Sequence, residues 1–443
     1  MTYFFETYGC QMNSAESAAL VLVCKERGWN EAADGESADL VLLNTCSVRI
    51  TAERRVLSRI AHYAGIKKKQ NKRKTRRLTL VVAGCMAQRL GETLKQKYPQ
   101  VDYVMGTSAR SLFPLILEAA EKDTKADFDT NEKPVFAFSN SHLEEGQFRS
   151  FIPIMHGCNN FCSYCIVPYV RGGEVSRDPE NIAREIRLVG ERGVREITLL
   201  GQNVNSYRWE QTGMDFSRLL KFAAAEAEKS GVKWIRFLSA NPKDFSPATV
   251  EVMAENRVFC RHLHLPVQHG SNNVLKAMNR GYTRERFLEL VREIRAAMPE
   301  ISLSTDILVG FPGETEDDLR QTLELMEEMK FLYAYMYHFN PREGTKAFDL
   351  PDRIGEEVKK ERLSRVMTLQ EKHTAQLLKA RIGSTETVLI EGISRKNADE
   401  LITRTEKDEM AAVAGPKSMI GSFARITISS LRGKTFRAKE LLL

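Results

Sequence analysis

The sequence predicts an α/β protein in three parts. These are an N-terminal open parallel α/β domain over residues 1–135, a partial (β/α)6 barrel over 145–375, and a small antiparallel β-barrel over 378–443. Three observations carry the prediction. Short apolar runs alternate with helical patterns through the first third of the chain, as in an open parallel sheet. About six further strand–helix units follow, enough for an open partial barrel. From about Arg381 the chain changes to short β-rich segments separated by turn residues, the texture of a small barrel.

In the first part, Tyr3–Tyr8 reads as a strand and Asn13–Arg27 as a helix. Asp39–Asn44 and Leu78–Ala83 are apolar runs of the buried parallel kind, each followed by a helix, from about Thr51 and over Gln88–Tyr98. Val101–Met105 and a helix after Ser111 complete the series. Between the second and third units, Lys67–Arg77 carries eight Lys or Arg among eleven residues. Like charges repel, so this run is expected to be a flexible solvated loop, with phosphate contact as the functional alternative. The stretch from about Asp123 to Arg149 reads as a linker.

The second part opens on the strand Phe151–Met155. Strands follow at Arg195–Leu200, Lys233–Leu238, Leu263–Pro266, Leu303–Val309 and Tyr333–Phe339, with helices at Asp178–Arg192, Phe216–Lys229, Phe245–Asn256, Thr283–Met298 and Glu316–Lys330. A charged helix, Glu356–Lys379, leads to the third part. Its five expected strands are Thr385–Ile390, Glu400–Arg404, Glu409–Val413, Ser422–Ser429 and Thr435–Leu441.

At 443 residues the chain can bury a large core. No apolar run is long enough to span a bilayer, and the N-terminus lacks a signal-peptide pattern. A cytoplasmic protein with no membrane partner, and a monomer, is expected. The net charge of +7 mildly favours an anionic partner. Eight cysteines are too dilute for a disulfide scaffold, so a clustered subset points to metal or catalysis.

That subset is Cys158, Cys162 and Cys165, spaced C-x3-C-x2-C with Tyr164 before the third. Soft thiolates select zinc, Cu(I) or iron–sulfur clusters. A structural zinc site wants four closed ligands, and no fourth Cys or His follows at zinc-knuckle spacing. A four-iron cluster held by three cysteines keeps one iron open. The loop resembles the signature of radical-SAM enzymes, in which that iron chelates S-adenosylmethionine (SAM).

Cys10, Cys46 and Cys85 each lie just past the C-terminal end of an expected strand. In an open parallel sheet those ends share one edge, where such folds place their ligands. Any one of them could be a small buried packing residue. Three at equivalent places in successive units favour a second three-cysteine cluster. Cys24 and Cys260 read as packing residues.

Polar clusters sit at other strand ends. Gln202 and Asn203 in Gly201–Asn205, and Ser239 before Asn241-Pro242, offer amide and hydroxyl groups to a zwitterionic ligand. Asp306 lies in the strand Leu303–Val309, which runs into Gly310, Phe311 and Gly313, a turn able to bring backbone against a flat ring. Arg171 and Arg177 follow the cluster loop, where their guanidinium forks match phosphate or carboxylate. His262, His264 and His269 read as polar lining rather than a zinc site.

The combination of three strand-end cysteines, C-x3-C-x2-C and a terminal small barrel covers essentially the whole chain and resembles the methylthiotransferase family. Asn44–Arg49 with Ala52-Glu53, Gly201–Tyr207 and Arg171–Arg177 look most like its branch acting on N(6)-isopentenyladenosine beside the tRNA anticodon. The resemblance implies a radical-SAM barrel and a C-terminal RNA-binding TRAM domain. It implies two 4Fe-4S clusters, one on Cys158, Cys162 and Cys165 that cleaves SAM, and an auxiliary one on Cys10, Cys46 and Cys85 that handles sulfur. SAM contacts are expected from Arg171, Arg177, Gln202, Asn203, Ser239, Asp306, Gly310 and Phe311. Partners so implied are tRNA, an external electron donor and a sulfur source. No acid–base pair is expected, because the target hydrogen on an adenine carbon is too weakly acidic, and radical chemistry is what such cofactors carry. The rivals are the same chemistry on threonylcarbamoyl-adenosine or on a ribosomal-protein aspartate, and a non-catalytic iron–sulfur RNA binder or electron carrier. Electron carriers normally hold a cluster with four ligands.

Overall fold

Two strands of the first part, β3 (Leu40–Thr45) and β4 (Thr79–Gly84), are buried along their whole length. Strands covered on both faces belong to the interior of a parallel sheet. In the computed structural model, which describes residues 1–47, 50–73, 78–126, 137–140, 143–395 and 397–442, they are the centre of a five-stranded sheet. Its order is β2-β1-β3-β4-β5, with β1 at Thr2–Thr7, β2 at Asn30–Glu31 and β5 at Tyr103–Met105. All four pairings are parallel. Helices α1 (Gln11–Glu26) and α4 (Phe113–Glu121) cover one face, where Leu20 and Phe113 pack on Leu40 and Leu42. Helices α2 (Ile50–Arg73) and α3 (Cys85–Lys97) cover the other, with Val56, Ile60 and Leu94 against Val41 and Leu43.

The basic run departs from its expected loop. Helix α2 continues to Arg73, and buried Lys67 forms an ion pair with Asp102. Lysine and arginine are good helix formers, and the Lys67 ammonium ties these turns to Asp102 ahead of β5. Residues 74–77 of that run lie outside the described residues, as do Val48, Arg49 and, from the linker, 127–136 and 141–142.

The second part carries six parallel strands in two sets of three. β6 (Arg149–Pro153), β9 (Glu196–Leu200) and β12 (Trp234–Phe237) form one. β13 (His262–His264), β14 (Ser302–Val309) and β15 (Tyr333–His338) form the other. A parallel bridge between Ile235 and Phe259 joins the sets, so β6 and β15 are the edges of an open barrel, as the sequence predicts. Two-residue strands β7 (Met155–His156) and β8 (Val175–Ser176) pair antiparallel around the cysteine loop, and β10 (Arg208–Trp209) pairs with β11 (Met214–Asp215). Helices α5 (Val167–Arg171), α6 (Pro179–Glu191), α7 (Phe216–Ser230), α8 (Pro247–Glu255), α9 (Asn272–Ala277), α10 (Arg284–Ala297) and α11 (Glu316–Met329) lie between the strands. Ile186, Leu220, Val250, Val291 and Leu325 contribute to one continuous core with the strands.

Helix α12 (Glu356–Lys379) leads to a closed five-stranded barrel ordered β16-β17-β18-β20-β19. The strands are β16 (Thr385–Ile393), β17 (Glu400–Thr405), β18 (Met410–Ala414), β19 (Phe423–Arg432) and β20 (Thr435–Leu442). The expected antiparallel barrel is corrected at one seam, since β18 and β20 run parallel. An odd number of strands cannot alternate direction all the way round a closed ring.

This small barrel caps the floor of the larger one. Arg236, inside β12, bonds Glu196 at 3.0 Å and donates to the carbonyls of Thr405 and Glu406 at 3.1 and 3.0 Å. Arg149 joins Glu196 to Glu391, and Arg404 joins Glu391 to Asp408. Trp234 meets Phe423 edge to face at 4.8 Å.

Candidate functional site

The loop after β7 is held by backbone bonds on every side. Gly157 donates to Gln202 Oε1 at 2.6 Å and Cys158 to the Gly172 carbonyl at 3.1 Å. Gly157 has φ 79°, and a Cβ there would overlap the Gly173 carbonyl oxygen. Only glycine fits this position. Ser163 donates through its nitrogen to Met278 O and through its hydroxyl to Ala277 O. Asn279 Nδ2 holds the carbonyls of Asn160 and Phe161, each at 3.1 Å. Phe161 carries a positive φ of 46°, a strained conformation that such surrounding bonds can impose. Arg280 reaches Cys162 Sγ at 3.3 Å.

Burial sets the thiol chemistry. It pushes Cys165 up to about 12 and raises Cys158 as well. A bound metal reverses this, since coordination deprotonates a thiol.

The second trio sits at the C-terminal ends of β1, β3 and β4, which are neighbours in the sheet. Cys10 caps α1 and Cys85 begins α3, while Cys46 follows β3. One amide network ties these loops. Asn13 Nδ2 bonds Tyr8 O, Asn44 Oδ1 and Thr45 O, and Asn44 Nδ2 bonds Asn13 O and Ser17 Oγ. Thr45 Oγ1 donates to Ala83 O. A Cβ on Gly9 would come within 2.7 Å of Cys46 Cβ. Burial pushes Cys85 up to about 11, against the lowering field of Arg171.

Cys85 also packs on Ile166 and Val170, and Thr107 Oγ1 donates to Val170 O at 2.7 Å. Helix α5, which directly follows the first cysteine loop, is thus the shared wall of both thiol sites. Arg171 at its end bonds Glu16 at 2.7 Å and His156 Nδ1 at 3.3 Å. Burial alone would raise Glu16, but Arg171 and Arg110 outweigh it and hold the carboxyl at about 2. Burial, with Arg171 adding to it, lowers His156 to about 3 and keeps it neutral.

The other expected residues have mixed placements. Arg177 is buried and engaged with Glu185, Pro153 O and Asn140, so its fork is spent on the fold. Arg171 is likewise bound to Glu16. Gln202 braces the cluster loop. Asn203 is buried and donates to Asp244 at 2.8 Å, while its Oδ1 has no hydrogen-bond partner among the described residues. Ser239 has a positive φ of 66° at its strand end and accepts from Val204 N. Asp306 lies 3.6 Å from His264. The nitrogens of Gly310 and Phe311 are both taken by Glu314 Oε2, and the Phe311 ring packs on Phe339 at 5.3 Å. His262 and His264 share Ser304 Oγ, each at 3.0 Å. His269 corrects its reading as lining, since it is fully buried beside Thr322 and Glu314. Arg280, Asn279 and Glu16 were not singled out in the sequence. The word Asn279-Arg280-Gly281-Tyr282, polar and glycine-bearing before a helix, was the available signal.

The donor sets fit iron–sulfur clusters. Each is three thiols on tight turns, with glycine directly before Cys10, Cys85 and Cys158. Among the described residues no three His, Cys, Asp or Glu groups converge on a single-ion position. A four-iron cluster gives each thiolate its own iron and needs no such convergence. Among them also, no helix is long and apolar enough to cross a membrane.

Fold and thiol sites together define a radical-SAM protein. The profile of the Radical SAM superfamily matches residues 152–326, the uncharacterized protein family UPF0004 matches 2–106, and the TRAM domain matches 379–441. A tRNA-2-methylthio-N(6)-dimethylallyladenosine synthase of Treponema denticola is 50% identical over 99% of both chains. That of Geotalea uraniireducens is 42% identical over 98% of both. The chain belongs to the tRNA-2-methylthio-N(6)-dimethylallyladenosine synthase family. Among solved structures, the radical SAM methyltransferase TsrM of Kitasatospora setae matches with a TM-score of 0.57 at 14% identity, covering 78% of this chain and 73% of its own. That likeness extends to fold.

Proposed function

We propose that this protein methylthiolates carbon 2 of N(6)-dimethylallyladenosine (isopentenyladenosine) in tRNA, beside the anticodon. The observation that carries the reading is the shared wall. Cys85 of the second trio packs on Ile166 and Val170, which begin one residue after Cys165 of the first. Replacing a carbon-bound hydrogen by a methylthio group needs hydrogen abstraction and a sulfur source within reach of one carbon.

In this reading Cys158, Cys162 and Cys165 hold one 4Fe-4S cluster, and Cys10, Cys46 and Cys85 hold the other. When bound, the clusters and SAM would supply the electron, the radical and the sulfur, with a second SAM as the methyl donor. The chain's residues then position. Gln202, Asn279 and the Gly172–Gly173 backbone fix the first loop. Asn203 and Ser239 stand past the ends of β9 and β12, and Asp306 lies within β14, where the SAM contacts are proposed. On β15, Ala334 and Met336 pack into the core, so Tyr335 and Tyr337 face the other way and remain 51% and 42% exposed. Aromatic faces on the open edge of a barrel suit a nucleobase, which stacks on them. The small barrel supplies basic Arg395, Arg432 and Arg437 around a shallow groove, suited to RNA phosphates. An external electron donor and a sulfur source complete the proposal.

The test is mass spectrometry of tRNA nucleosides after incubation with the reconstituted protein and SAM. A gain on dimethylallyladenosine equal to one methylthio group in place of hydrogen is expected. Gain on threonylcarbamoyl-adenosine alone would reassign the substrate. Cys158→Ala should abolish SAM cleavage, whereas Cys46→Ala should keep cleavage and lose the methylthio product. Survival of product in the Cys46→Ala protein would remove the auxiliary role.

A further inference from the structure

Six arginines are buried among the described residues: Arg171, Arg177, Arg236, Arg261, Arg280 and Arg362. Five of them meet a glutamate, in the pairs Arg171–Glu16, Arg177–Glu185, Arg236–Glu196, Arg261–Glu300 and Arg362–Glu314. Arg280 is the exception. Among the described residues no carboxylate lies within 4.0 Å of it. Its Nε meets Tyr282 Oη at 3.3 Å, its Nη2 donates to Pro266 O at 3.2 Å, and its Nη1 points at Cys162 Sγ at 3.3 Å. The tyrosine is itself pinned, donating to Val267 O at 2.7 Å.

A buried cation without an anion is costly, so native proteins pair it. Among the described residues, the group in contact with it that becomes anionic on binding a metal is the Cys162 sulfur. An oxidised four-iron core on three thiolates has one net negative charge and gains a second on reduction. A fixed guanidinium against a ligand sulfur stabilises the reduced form more than the oxidised one, and hydrogen bonds to ligand sulfurs are among the levers that set cluster potentials.

We infer that Arg280 is a positioning residue for the first cluster, its charge raising that cluster's reduction potential through Cys162. The inference rests on the proposed role of the Cys158 trio. It extends that role to a residue 118 positions downstream of Cys162, outside every cysteine motif.

The experiment is a redox titration of the first cluster followed by electron paramagnetic resonance, with iron and sulfide content as the loading check. It uses the full chain with Cys10, Cys46 and Cys85 changed to Ala, so that one cluster is read. Arg280→Met and Arg280→Gln should shift the reduction equilibrium at least tenfold toward the oxidised form, which for one electron is about 59 mV. Arg280→Lys keeps the charge and should stay within threefold of the parent. All three within threefold, or Lys falling as far as Met, overturns the inference. If Met and Gln fail to load, Lys decides. Loading at the parent potential supports the inference, and failure to load or a tenfold shift overturns it. A parent with Arg280 intact that binds no cluster overturns the reading of the Cys158 trio instead.

Discussion

Gly157 shows how much of the site is backbone. Its positive φ and the adjacent Gly173 carbonyl leave no space for a side chain, so the turn that aims Cys158 depends on one missing methyl. Gly157→Ala should lower cluster loading to half or less on iron analysis, while far-UV circular dichroism stays unchanged. Equal iron content would show that the loop can relax around the methyl. The same scale separates what the sequence could reveal. The cysteines were legible because thiols at that spacing have few other uses. Arg280 was not, because a lone arginine reads as surface charge until its burial is known. Arg177 was misleading for the opposite reason: next to the motif, it looked like a ligand grip and is bound to Glu185.

Helix α5 is the element through which the two thiol sites meet. Its end residue, Arg171, carries the ion pair with Glu16 of α1. Removing one partner of such a buried pair leaves an uncompensated charge, at about 3–5 kcal/mol. Arg171→Met should lose about that much in urea denaturation. The double variant Arg171→Met with Glu16→Gln should recover part of it, because the carboxylate is no longer left short of a cation, but not all of it, because Arg110 also loses Glu16. Recovery of nothing would assign the loss to packing. The Glu16 carboxyl is held at about 2 in the fold, below its ordinary 4.5. Its contribution is therefore fully present above about pH 4.5 and fades as pH falls toward 2. Glu16→Gln should flatten the stability profile across that window, measured as urea midpoint against pH. An unchanged slope would place the acid sensitivity elsewhere.

Across the whole molecule, the small barrel is locked to the floor of the large one by Arg149, Arg236 and Arg404 with Glu196, Glu391 and Asp408. This puts the RNA-binding candidate at one end of the barrel strands and the thiol loops at the other. Arg236→Ala removes the bonds to Glu196, Thr405 and Glu406 together. It should cost about 3–5 kcal/mol and expose the connection before β16 to limited proteolysis. An intact chain under conditions that cleave a denatured control would show that Trp234 and Phe423 hold the interface without the charges. Nothing in the sequence distinguished these strand arginines and glutamates from solvated ones.

The sequence by itself determined the three-part architecture, because apolar periodicity and turn residues are local signals that survive without coordinates. It also singled out the two thiol trios proposed as cluster ligands, one from spacing and the other from three cysteines at equivalent strand ends. The tertiary structure alone decided what surrounds them: that α5 is their common wall, that Gln202 and Asn279 brace the first loop, and that Arg280 faces Cys162. Those contacts join residues 45 to 119 positions apart. Such long-range pairing is set by how buried charges and backbone groups are satisfied in three dimensions, which no local pattern records.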